Sequence, residues 1–225
     1  MVPGVSGEWS DPERIEAYLG REIPHRDVAE SLLLDALPER IDRFLDLGTG
    51  DGRLLALVGQ RHPEAHGIGI DASAPMLERA RRRFADNPLI ELHEHDLTEP
   101  LPAQSGAFNA IVSALAIHHL PDQRKRSLFS EIRELLTPGG VFANLELVSS
   151  PTPELHARFR QAIGRPHEDP SDQLAGLGDQ LKWLRKAGFA QVDCRFKWLE
   201  LTLFVAVNMT GSSTSTTARA GTAPA

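Results

Sequence analysis

The sequence is short of several things, and each shortage closes off a class of function. It holds a single cysteine, Cys194, among 225 residues. An intrachain disulfide is impossible, and a cysteine-based zinc site goes with it. A lone thiol on an expected C-terminal strand reads as a packed, inert side chain. No apolar run reaches the ~20 residues that a membrane-spanning helix needs. Residues 1–11 lack the basic start and apolar stretch of a signal peptide, so the expected location is cytoplasmic, with no membrane partner. Positive charge is scarce too: 24 Lys and Arg against 31 Asp and Glu leave a formal net charge of −7. Proteins that grip a nucleic-acid backbone normally carry a basic face, so no nucleic-acid partner is expected. The one dense basic run, at Arg79, Arg81, Arg82 and Arg83, reads as a turn of solvated helix rather than a phosphate clamp.

What is present is an ordered alternation. With 41% apolar residues, a chain of this length suits one domain with a sizeable core. Asp11-Pro12-Glu13 is a good helix start, with a capping residue, proline and an acid in the first turn. A second helix is expected after Pro24, running to Leu37, so residues 1–40 read as a helical cap. Strand candidates follow at 43–47, 65–70, 90–95, 110–114 and 141–148, with helices at 54–58, 74–84 and 122–136 between them. Thr137-Pro138-Gly139-Gly140 reads as the break between the last helix and strand. Helices near 154–163 and 179–187 precede two strands, 191–196 and 199–207, too close in sequence for a helical crossover. Those two are expected to pair antiparallel. The rest implies right-handed crossovers and a mostly parallel sheet. From residue 208 the chain reads as a disordered tail of Ser, Thr, Ala and Gly.

The chemistry concentrates where the first strand ends, in Asp46-Leu47-Gly48-Thr49-Gly50-Asp51-Gly52. Glycines there let the backbone turn sharply, and the helix that follows offers unpaired N–H groups to a ligand. A dinucleotide fingerprint needs its third glycine at position 53, which is Arg53. The alternate-glycine pattern resembles instead the cofactor loop of class I S-adenosylmethionine (SAM)-dependent methyltransferases. The rest of that family's pattern follows in order. Asp71 resembles the acid that accepts the ribose hydroxyls, with Ala72 and Met76 beside it. Asp96 resembles the acid that takes the adenine amino proton, with the Leu97 backbone completing that contact. The strand ending at Ser113 resembles the fourth strand, whose end faces the transferable methyl. The resemblance implies an α/β, doubly wound, seven-stranded Rossmann-like sheet, mostly parallel with an antiparallel last strand. The methyltransferase domain would occupy residues 41–207 under the N-terminal helical lid. It also implies S-adenosyl-L-methionine as cofactor and S-adenosyl-L-homocysteine (SAH) as product. Cofactor contacts are expected at Asp46, Gly48, Gly50, Gly52, Asp71, Ala72, Met76, Asp96, Leu97 and Ser113. Tyr18 and Arg26 on the lid are expected at the methionine end.

The acceptor side is less defined. His118 and His119, just after the fourth strand, are the leading candidates to line the acceptor pocket, and either is a candidate base. Glu146 sits between Leu145 and Leu147 in strand five; it either faces a polar cavity or points out past the sheet edge. His93 and His95 read as exposed strand residues, His167 as a loop residue, and no metal site is expected. A small-molecule acceptor fits the charge balance. The alternatives are a tRNA-modification enzyme resembling a carboxy-SAM synthase, and a SAM-binding module without catalysis. Monomer and homodimer both stay open.

Overall fold

Short apolar runs separated by helices form a parallel sheet because each helix is long enough to return the chain to the same edge. The computed structural model describes residues 11–20, 22–102, 107–165, 167 and 169–209, without the side chains of 12, 14, 17 and 18. The described residues start with α1 (Pro12–Leu19) and α2 (Arg26–Asp35), then run β1 (Arg43–Leu47), α3 (Arg53–Arg61), β2 (His66–Asp71), α4 (Ala74–Arg83) and β3 (Ile90–Glu94). It continues through β4 (Phe108–Ala114), α5 (Asp122–Leu135), β5 (Leu136–Leu147), α6 (Pro153–Ala162), α7 (Leu177–Lys186), β6 (Gln191–Trp198) and β7 (Leu201–Val207).

The seven strands lie in the order β3-β2-β1-β4-β5-β7-β6. Strands β1 to β5 are mutually parallel, and β7 runs antiparallel to both β5 and β6. The order reverses between β1 and β4, and in open α/β sheets ligands bind outside the strand ends at that point. Both faces of the sheet are covered. Leu33, Leu55 and Val58 pack on one face; Leu128, Phe129 and Ile132 of α5 pack on the other. This explains why β1 is buried without alternation from Phe44 through Leu47, Asp46 included. No helix among the described residues is long and apolar enough to cross a membrane.

Two details differ from the expectations. Thr137-Pro138-Gly139-Gly140 is already part of β5, because Leu136 pairs with Phe108 and Val141 with Ala110. The extra residues on β5 are absorbed in a bulge, tied by the Thr137 hydroxyl to the Phe108 carbonyl and by the Gly139 N–H to the Asn208 carbonyl. Cys194 is half-buried rather than packed away, with burial pushing its thiol pKa up. The tail beyond residue 209 lies outside the described residues.

Candidate functional site

The glycine loop is shaped by what stands close to it. Gly48 has a φ of 69°, and a Cβ there would lie 2.2 Å from the Ala116 Cβ. No side chain fits, so the loop backbone meets the segment after β4 directly. The approach is enforced from the other side by Leu115, a non-glycine residue held at φ 57° by its N–H bond to the Leu145 carbonyl. Gly52 caps α3 at φ 81°, and a Cβ there would meet the Phe84 ring at 2.5 Å. Its requirement is packing under α4; it lines neither of the two cavities described below.

Three acids stand around this loop. Asp46, 1% exposed, accepts a hydrogen bond from the Thr49 hydroxyl at 2.7 Å, and its other oxygen is buried without a partner. Burial, with Asp71's charge adding to it, pushes its pKa up to about 7. Asp71 accepts the Gly50 and Ser73 N–H groups at 2.8 Å each. Burial still outweighs those donors and raises its pKa. Asp96 accepts the Thr98 N–H at 2.9 Å. The turn it sits on is clamped by Arg124 of α5, which donates to the Leu97 and Glu99 carbonyls and pairs with Glu131. Arg124 escaped the sequence reading because nothing local links it to residues 27 positions away.

Two cavities meet at Gly48 and Gly50. The first is walled by Asp71, Ala72, Met76, Asp96 and Leu97 on one side and by Ala116 and His119 on the other. His95 also lines it, with Nε2 buried and without a hydrogen-bond partner. The second cavity, about 750 Å³, lies between the start of α2 and the glycine loop, lined by His25, Arg26, Asp46, Thr49, Arg53 and Ala114. Arg26 donates to Glu30 at 2.7 Å, and Glu30, 3% exposed, also takes two bonds from Arg53. The two guanidiniums lower the Glu30 pKa against its burial. Arg53, which stands where a dinucleotide fingerprint would need glycine, thus joins α2 to the start of α3.

The two histidines divide. His119 lines the first cavity, and its Nδ1 lies 3.1 Å from the Ser171 hydroxyl, 3.3 Å from the Ser171 carbonyl and 3.7 Å from Asp172. His118 lies behind it, 3% exposed, with Nδ1 2.5 Å from Glu146 and Nε2 3.5 Å from Asp172. Burial opposes a charge on His118, but the Glu146 carboxylate and Asp172 win and raise its pKa. Glu146 is fully buried, so it does not project past the sheet edge; Oε1 also accepts the Leu147 N–H, while Oε2 has no partner. Ser171 and Asp172 were missed because only the folded loop brings them here. Lys125 of α5, fully buried, donates to the Gln173 carbonyl, and Gln173 bonds the backbone of both histidines. One donor atom each from His118, His119 and Asp172 lie within 4.8 Å of one another, a spacing that a cation could bridge.

Other expected residues stand elsewhere. Ser113 is buried and donates to the Leu47 carbonyl at 2.8 Å, tying β4 to β1 rather than facing a cavity. The Tyr18 side chain falls outside the described residues. Arg79 and Arg83 pair with Glu16 and Asp51, and His93 is exposed beside Glu91.

The cleft fits a SAM-sized ligand. Acids at the ends of β2 and just past β3 present acceptors for hydroxyl and amino protons, and the Gly48 backbone has no room for a Cβ. Orphaned polar atoms on Asp46 and His95 mark places where a ligand or water completes the bonding.

Comparison with known proteins agrees. Residues 44–140 match the family described as a methyltransferase domain. An uncharacterised methyltransferase of Mycobacterium tuberculosis is 41% identical over 118 residues, covering 52% of this chain and 57% of that protein. The malonyl-[acyl-carrier protein] O-methyltransferase of Xylella fastidiosa is 32% identical over 169 residues, 73% of this chain and 56% of its own. The chain therefore spans a little over half the length of these curated relatives. An O-methyltransferase family structure from Burkholderia thailandensis superposes with a TM-score of 0.70 at 22% identity, covering 94% of this chain and 64% of that one. Human N-acetylserotonin methyltransferase, solved with SAM, gives 0.63 at 20% identity over 91% of this chain and 57% of its own. Residues 44–140 thus carry a methyltransferase domain, and the fold around them is that of the class I SAM-dependent methyltransferases.

Proposed function

We propose that this protein transfers a methyl group from SAM to a small-molecule hydroxyl or amine, with His119 taking the acceptor's proton. The observation that supports this reading is His119 itself, on the wall of the cofactor cleft with Nδ1 turned to Ser171 and Asp172. With Nδ1–H donated to the Ser171 carbonyl, Nε2 would be the proton acceptor. Asp71 and Asp96 would hold the adenosine half; Asp46 and Arg26 would hold the methionine end. When bound there, SAM supplies an electrophilic methyl carbon and leaves as SAH. The protein's task is to align the acceptor and remove water, a role that the N-terminal helices and α6 would share. The net charge of −7 supports a small acceptor over tRNA. Among relatives, the Deinococcus radiodurans trans-aconitate 2-methyltransferase, 33% identical over 161 residues, is also named for a small acceptor.

The test is transfer of labelled methyl from SAM onto a pool of small hydroxyl and amine compounds, run beside bulk tRNA. Label is expected in the small-molecule fraction, and His119→Gln is expected to lower kcat by about 10²–10⁴ with little change in SAH affinity. Label in tRNA alone, or SAH binding without any transfer, would contradict the proposal.

A further inference from the structure

Most buried cations among the described residues have a matched acceptor. Lys125 has Asp122 and the Gln173 carbonyl, Arg26 has Glu30, and Glu146 has His118. Arg160 on α6 breaks the pattern. Its side chain faces inward and the residue is 6% exposed, yet Nε has no hydrogen-bond partner. Among the described residues, no carboxylate lies within ion-pair distance of its guanidinium. Arginine does not relieve such a situation by losing its proton. An unpaired buried cation is strongly unfavourable, and proteins retain one where a ligand completes it.

The surroundings say which ligand. Phe159 of α6 and Ile163 just past its end, which flank Arg160, belong to the core cluster that also holds Ala114, Leu115, Leu145 and Leu147. These are the C-terminal ends of β4 and β5, where an acceptor must reach the cofactor cleft. Phe159 also meets the Trp198 ring at 6.1 Å, and Trp198 meets His25 of the wide cavity at 4.9 Å. One turn back on α6, His156 is held by Glu200, so that carboxylate is engaged with His156 and with the Ser150 hydroxyl instead of Arg160. We infer that Arg160 is an anion-binding residue of the acceptor pocket, and that the acceptor carries a carboxylate or phosphate group gripped by its guanidinium. A planar guanidinium takes either group through paired hydrogen bonds. This inference rests on the methyl-transfer reading and narrows its substrate class.

The test uses the SAH-loaded 225-residue chain, titrated calorimetrically with citrate and, separately, with inorganic phosphate. Wild type, Arg160→Met and Arg160→Lys are compared, and thermal unfolding is measured without ligand. Saturable binding of one anion is expected in wild type, weakened by about tenfold or more in Arg160→Met and less in Arg160→Lys. The unliganded Arg160→Met protein is expected to melt at the wild-type temperature or above, since it loses an uncompensated buried charge. Binding of neither anion, or equal binding by wild type and Arg160→Met, would overturn the inference. So would unfolding of Arg160→Met with rescue by Arg160→Lys, which would assign the cation to the fold. SAH binding to all three proteins separates these outcomes from failure of the methyltransferase reading, which would show as no SAH binding to any of them.

Discussion

Asp46→Asn is expected to change how the stability of the unliganded protein depends on pH. Asp46 is 1% exposed, with a single hydroxyl bond to one oxygen and nothing on the other, and its pKa stands at about 7 against an ordinary 3.8. A raised carboxyl pKa means that the folded state holds a proton which the unfolded state releases. Below the ordinary value both states are protonated and nothing is lost. As pH rises from there to about 7, stability falls, and above it the folded protein carries the whole cost of a buried carboxylate. That loss amounts to about 4 kcal/mol in all, of which about 2 kcal/mol falls between pH 5.5 and 8. Asparagine keeps an oxygen for Thr49 and has no proton to lose. Its amide adds a cost of its own, about 1–3 kcal/mol and independent of pH, so the slope is the readout rather than the offset. Urea unfolding of wild type and Asp46→Asn across pH 5.5–8 gives that slope. Stability of the variant relative to wild type is expected to rise by about 2 kcal/mol over the range. A difference that stays constant with pH would refute the buried-carboxylate argument.

The loop geometry gives a second prediction. Gly48→Ala places a methyl 2.2 Å from the Ala116 Cβ at φ 69°, and is expected to cost about 2–4 kcal/mol of stability and most SAH affinity. Thermal unfolding and calorimetry check it, and wild-type behaviour in both would mean that the close approach is not required. Chelation gives a third. With His119 as a proton acceptor, transfer is expected to survive EDTA, although His118, His119 and Asp172 have donor atoms within 4.8 Å of one another. Activity lost to EDTA and restored by a divalent cation would replace the base by a metal.

The parts legible in sequence are those fixed by local pattern. The strand and helix order follows from apolar runs and breakers, and Asp71 and Asp96 stand out through the resemblance of their motifs to the methyltransferase family. Both stand on the cleft wall, Asp71 as the last residue of β2 and Asp96 two residues past β3. Ser113 shows the limit. It is near a strand end too, but its hydroxyl turns to the Leu47 carbonyl of the neighbouring strand, and facing is set by the pairing register. Glu30, Arg124, Ser171 and Asp172 were not legible, since each acts on a residue 23 or more positions away. Arg160 looked ordinary in the chain, where an arginine on a short helix reads as surface. Only the packed helix shows that it lies inside without a partner.

The most direct test of the account is a calorimetric titration of the purified protein with SAH, with NADH as control and Asp71→Ala as a second sample. The account predicts saturable one-to-one binding of SAH, no binding of NADH, and an affinity loss of about tenfold or more in Asp71→Ala. No heat with SAH, or saturable binding of NADH in its place, would contradict the assignment of this cleft.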